Sequence, residues 1–246
     1  YGMYQAAFMD VSFGRAIGFF SHALTQGNVL ALVCITAIGT LLFYKFQKKT
    51  FYNFTLISFV ITLAGLIASA SRGPILAFLI SAFMMAVYRF KWRGLIASLI
   101  LVAVVFVSAS QVDSVSIRFK NMVKNAKVST SSIGTRLVLW EAASEAIMVK
   151  PFFGYGKRNF KSEVSKYISV KTSSRAHAHN SYIQYTFLHG FFGLFAMLGF
   201  FGSIMFEIIS RMHSGPFVKI AFFVLIVFLL EGLTENNFTD SEVAMM

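Results

Sequence analysis

The chain has 246 residues, 57% of them hydrophobic and only 13% charged, with 22 Lys+Arg against 10 Asp+Glu and a net charge of +12. That apolar excess leaves too little polar surface for a water-soluble domain and makes lipid the solvent. A single cysteine, Cys34, excludes a disulfide framework and a thiolate metal cage.

Tyr1 opens the chain without a charged n-region and cleavage site, so the expectation is a chain with no signal peptide that forms the later part of a longer protein. No Lys, Arg, Asp or Glu occurs from Ala16 to Tyr44, which places a first membrane span at about 27–46. A second is expected at about 52–70. Ser71-Arg72-Gly73-Pro74 then breaks the chain, Gly73 letting the backbone bend and Pro74 suiting the first helical position of a third span, about 75–88. A fourth fills about 94–110, a fifth about 181–209 and a sixth about 217–234. Residues 1–110 therefore hold spans one to four with an outer lead-in segment, 111–180 form a loop, and 181–246 hold the last two spans and a tail. The expected fold is all-α, a polytopic transmembrane bundle of about six spans with a large outer loop containing amphipathic helices.

The basic short connections are 45–49, 89–93 and 211–219, and six alternating spans put all three on one face, the cytoplasm by the positive-inside rule. The long loop then lies on the outer face of an inner-membrane protein. It carries 12 Lys+Arg and 4 Asp+Glu, and long loops escape the rule. Such a charge asks for an anionic partner. Nucleic acid is not expected on that face, which leaves membrane lipids, a lipid-linked diphosphate or an anionic glycolipid. Within the loop, 134–150 reads as an amphipathic helix along the membrane surface, with Leu137, Trp140, Ser144, Ile147 and Met148 near one face and Glu141 and Glu145 on another. Phe152-Phe153-Gly154-Tyr155-Gly156 follows as an aromatic turn.

Arg15, Arg72, Arg136 and His179 stand at element edges on the outer face. Arginine at membrane depth is costly without a partner, so Arg72 beside a helix N-terminus is a candidate phosphate ligand or an interface-marking snorkeller. Arg136 sits one turn before Trp140 on the same side. His177-Ala178-His179-Asn180 precedes the fifth span, with Asn180 or Ser181 able to cap it. Two histidines so spaced resemble a metal clip, but no cysteine and no convincing carboxylate pair accompanies them, and no metal is assigned. An imidazole can instead take a proton from an attacking hydroxyl. No nucleotide-binding glycine loop, GxSxG or HExxH is present.

With these motifs in order, the chain resembles the bacterial O-antigen ligase family, which shares its domain with O-antigen polymerases and protein O-oligosaccharyltransferases. The likeness is carried by Arg15-Ala-Ile-Gly-Phe-Phe-Ser-His, Ser71-Arg72-Gly73, Gly134-Thr-Arg136-Leu-Val-Leu-Trp140, Lys150-Pro-Phe-Phe-Gly154, His177-Ala-His179-Asn180, Gly190-Phe-Phe-Gly193 and Glu231-Gly-Leu-Thr-Glu235. The resemblance implies a GT-C-like, metal-independent glycosyltransferase without cofactors. It would move a glycan from undecaprenyl diphosphate to lipid A-core. It further implies that Arg72 and Arg136, with Arg15 in support, bind the diphosphate, that His179 sits at the reacting centre, and that His177, Asn180, Trp140 and Glu235 support the site. A polymerase using the same donor is the first alternative. A transporter or flippase component is the second, and it would need an ionisable residue deep in the spans; the sequence is read as lacking a buried acid there.

Overall fold

The computed structural model describes residues 9–10, 15–16, 23–100, 132–156, 160–168 and 177–238. Apart from one antiparallel pairing of two-residue strands, β1 (Met9–Asp10) with β2 (Arg15–Ala16), the described chain is helical. Its helices are α1 (Ala23–Phe43), α2 (Lys49–Ala68), α3 (Arg72–Phe90), α4 (Ser132–Val149), α5 (Phe160–Val164), α6 (Ser181–Ser210) and α7 (Pro216–Glu231), and residues 92–100 are helical as well. Four of these, α1, α2, α3 and α6, are long and apolar enough to cross a membrane. The expected sixth span corresponds to α7, only 16 residues long. The expected fourth runs beyond residue 100, outside the described residues.

The chain divides into two compact units, Tyr1–Lys91 with Phe200–Met246, and Trp92–Gly199. In the first, α1 is the central helix and packs against α2, α3 and α7. Lipid offers apolar side chains no less than a neighbouring helix does, so close approach and polar contacts must hold spans together. Both devices are present. A Cβ on Gly27 would stand 2.7 Å from the Ser71 Cβ, and one on Gly39 would stand 3.1 Å from Ile220 Cγ1, so both glycines let a partner helix come close. Cys34 Sγ donates to Thr62 Oγ1 at 3.4 Å, and Ser81 Oγ donates to the Phe223 carbonyl at 3.0 Å. Ile35, Leu66, Phe78, Met85, Phe223 and Val227 fill the space between. The opposite side of α2 is bare, with Phe51, Phe54, Ile57, Val60 and Ile61 exposed. Water would not tolerate that face, whereas hydrocarbon would.

Contacts along the bundle fix which ends meet. Arg89 Nε reaches the Leu42 carbonyl, Phe43 and Tyr88 rings meet edge-on, and Tyr44 meets Phe217. At the other end, Ser71 Oγ donates to the Ala23 carbonyl at 2.8 Å and Gly73 abuts Thr234. The connection around 45–49, the Arg89 end of α3 and the 215–219 turn thus gather at one basic end of this unit. Arg72 and Glu235 belong to the other.

Two local expectations are corrected here. The bend after α2 is made by Ala70, at φ 49, not by Gly73. Gly73 is helical, and its missing Cβ makes room for Thr234. Pro74 stands third rather than first in α3, a position whose N–H has no intrahelical acceptor either.

The second unit is built on α4. Its buried apolar side chains are Leu139, Ala142, Ala143, Ala146 and Ile147, spaced as one helical stripe. Of the face expected from the sequence, only Ile147 is in that core; Leu137, Ser144 and Met148 are exposed and Trp140 is half-buried. Alanines carry the packing because they let Tyr155, Phe160 and Phe187 close onto the helix. Tyr155 stacks on Phe187 with centroids 4.6 Å apart, and its hydroxyl donates to the Ala146 carbonyl at 3.1 Å.

The helix α6 breaks at Gly190, φ 68 and ψ −170, and the aromatic turn fills the break. Phe191 N donates to the Pro151 carbonyl at 2.6 Å, Tyr155 N to the Phe187 carbonyl at 2.9 Å and Gly156 N to the Leu188 carbonyl at 2.8 Å. Non-helical backbone inside an apolar span is sustained only where protein satisfies it, and here 151–156 does so.

Candidate functional site

The histidine segment is held from both sides through the backbone of one residue. Trp140 Nε1, on α4, donates to the Ala178 carbonyl at 2.8 Å, while Ala178 N donates to Gln184 Oε1 of α6 at 3.0 Å. Ala178 itself is fully buried. His177 and His179 flank it, half-buried, with ring centroids 4.1 Å apart. His179 sits at φ 49, in the left-handed region that costs a non-glycine residue free energy and that histidine enters more readily than most. Directly after it, Asn180 Oδ1 accepts from Ile183 N at 3.0 Å and caps α6. The cap expected at Asn180 is therefore present.

Arg136 and Trp140 lie four residues apart on α4, so the half-buried Arg136 occupies the turn next to the anchor of the histidine segment. This unit accordingly brings together Arg136, Trp140, His177, His179 and Asn180: a guanidinium, an indole and two imidazoles on adjoining parts of one compact fold. An imidazole at such a place can accept a proton from a hydroxyl, and a guanidinium can take two anionic oxygens at once.

In the first unit, Arg72 is exposed at the first position of α3. Ser71, its N-cap, does not cap with its side chain but spends its hydroxyl on the Ala23 carbonyl, fixing this end of α3 to α1. Glu235 is buried after the end of α7, one residue past the Thr234 that Gly73 meets. Arg15 is paired with Asp10 in the β1–β2 register, and its side chain lies outside the described residues.

The buried acid that the sequence reading did not expect is Glu231. It falls inside the expected sixth span, is 0% exposed, and neither of its carboxylate oxygens has a hydrogen-bond partner among the described residues. Asn28 Oδ1 is buried and unpartnered too. Since Gly39 meets Ile220 and the two helices run in opposite directions, counting the same number of residues along each puts Asn28 level with Glu231. The expectation that the spans lack a buried acid is thus wrong, and it does not count against a transporter. The signal was visible in the sequence as one carboxylate ending an apolar run.

A family model described as O-antigen ligase matches residues 57–198, more than half of the chain. The chain belongs to the O-antigen ligase family. Its activity is of the O-antigen ligase or polymerase type, a glycan transfer on glycan and lipid substrates by a membrane protein. The matched stretch contains Arg72, Arg136, Trp140, His177, His179 and Asn180; Arg15, Glu231 and Glu235 lie beyond it. No curated protein matches the chain.

Proposed function

We propose that this member of the O-antigen ligase family transfers a glycan from undecaprenyl diphosphate to a sugar hydroxyl of lipid A-core, in the periplasmic leaflet of the bacterial inner membrane. The reading is carried by the histidine segment, clamped at Ala178 between Trp140 and Gln184 within the part of the chain that matches the family.

In the reaction, the acceptor oxygen forms a bond to the anomeric carbon of the donor sugar while the bond from that carbon to the diphosphate oxygen breaks. The electron pair leaves with the lipid diphosphate, and the acceptor proton passes to His179. Negative charge grows on phosphate oxygens as the bond breaks, and preoriented guanidinium groups stabilise it more in the transition state than in the bound donor. Arg72 and Arg136 take that role, with Arg15 in support. Trp140 holds the chain at Ala178, just before His179, and Asn180 caps α6 just after it, His177 stands beside His179, and Glu235 supports the Arg72 end. The donor is already activated, so neither a nucleotide nor a cofactor is called for.

The basic end of the first unit belongs on the cytoplasmic face under the positive-inside rule, which supports a periplasmic position for Arg72. Purified protein supplied with lipid-linked glycan and either lipid A-core or a second lipid-linked glycan tests the acceptor. A ligase glycosylates the core; lengthening of the second lipid-linked glycan with the core left bare would assign a polymerase instead.

A further inference from the structure

At the basic end of the first unit, three helix ends border an open cavity of about 330 Å³ lined by Leu42, Phe43, Tyr88, Arg89 and Lys219. Arg89 comes from the last turn of α3, and its Nε donates to the Leu42 carbonyl at 3.4 Å, which moors the guanidinium at the end of α1. Lys219 comes from the first turn of α7, with Nζ 6.0 Å from the Phe43 ring centroid. Two cations from helices distant in the chain thus face one small space. Neither forms an ion pair among the described residues.

The placement of Lys219 is unfavourable on its own. It stands in the first turn of a helix whose positive dipole end carries no acidic residue and whose N-cap, Gly215, offers no side-chain cap. A second cation nearby adds repulsion. An anion in the cavity would relieve both costs at once, because it would meet a guanidinium and an ammonium together.

We propose that this cavity binds the phosphate of an anionic lipid headgroup, with Arg89 and Lys219 as its cations. The position of the cavity at the end of an apolar bundle argues for a lipid rather than free phosphate. Phe43 and Tyr88, which line it, are fixed against each other and against Phe223 behind them, with Phe43 to Tyr88 centroids 6.0 Å apart and Tyr88 to Phe223 5.9 Å apart. A phosphate held here by a headgroup lets its acyl chains continue along the apolar helices into hydrocarbon. The positive-inside rule accounts for the number of cations at this end, but not for their convergence on one cavity.

The test uses the full chain in nanodiscs of phosphatidylcholine, with phosphatidylglycerol added in one arm and inorganic phosphate in another, read by thermal midpoint and by native mass spectrometry of retained lipid. Phosphatidylglycerol is expected to raise the midpoint and to be retained, and Arg89→Gln with Lys219→Gln to weaken retention about tenfold or more. Lys45→Gln with Lys49→Gln removes the same charge from the same end and should leave retention unchanged. Equal loss in both double variants would show diffuse charge attraction and overturn the site. Equal stabilisation by inorganic phosphate would overturn the lipid assignment. Should the cavity variant fail to fold, Arg89→Lys keeps the charge but loses the fork; retention lowered there supports the site, and unchanged retention counts against it.

Discussion

Gly154 and Gly190 meet backbone to backbone: both have left-handed φ, 66 and 68, and a Cβ on Gly154 would stand 2.6 Å from the Gly190 nitrogen. A Cβ on Gly190 would collide in turn with the Phe152 carbonyl. This contact locks the aromatic turn into the break of α6, and Phe187, on the same helix, carries the core against which α4 packs. The site residues of the second unit inherit their positions from it.

Gly190→Ala should therefore be costly. At φ 68 and ψ −170, a region held almost only by glycine, alanine is strained by about 1–3 kcal/mol, and overlap with backbone atoms that cannot move aside adds to it. Loss of the folded peak in size-exclusion chromatography, or a fall of several degrees in the thermal midpoint, is the expected result. Gly199, whose Cβ would meet nothing within 4 Å, is the control, and alanine there should be tolerated. Equal tolerance at both positions would remove the turn from its structural role.

Trp140→Phe keeps most of the ring and deletes the donor to the Ala178 carbonyl. The expected loss of stability is about 1 kcal/mol. Transfer activity should fall further than that, because the histidine segment loses one of its two anchors. A variant with unchanged turnover would show that the indole does not position His179.

Arg72→Lys preserves the charge but cannot reproduce two parallel hydrogen bonds to a diphosphate. Steady-state assays with lipid-linked glycan should show transfer reduced at least tenfold, about 1.4 kcal/mol in the transition state. Full activity would take Arg72 out of the diphosphate role. Arg136→Lys is expected to behave alike.

Glu231→Met replaces a buried carboxyl that lacks a partner among the described residues with an apolar chain of similar reach. A lone buried polar group costs about 1–3 kcal/mol, so the thermal midpoint should rise. A lower midpoint would mean that the carboxyl is held by a partner.

Helix positions were largely legible because period and charge-free length report them directly: α1, α2, α3 and α6 begin and end within a few residues of the expected spans. What the sequence hid was side-chain direction. The amphipathic reading of α4 gave weight to Leu137, Trp140 and Met148, since large apolar residues dominate any hydrophobic pattern. The structure buries Ala142, Ala143 and Ala146, whose value lies in their small size beside Phe187 and Tyr155. The glycines misled in the opposite sense. Gly73 looked like a hinge and is a point of close approach, while Ala70 makes the turn. Within the site, Asn180 was readable as a cap because capping is local in sequence. The Trp140 to Ala178 bond joins residues 38 apart, and no short motif encodes such a contact.

The catalytic role of His179 is tested most directly by single-turnover transfer from lipid-linked glycan to lipid A-core, comparing the wild-type chain with His179→Ala. Loss of a positioned general base is expected to slow the chemical step by about a hundredfold to ten-thousandfold while donor binding persists. Transfer at a near-normal rate in that variant would contradict the account.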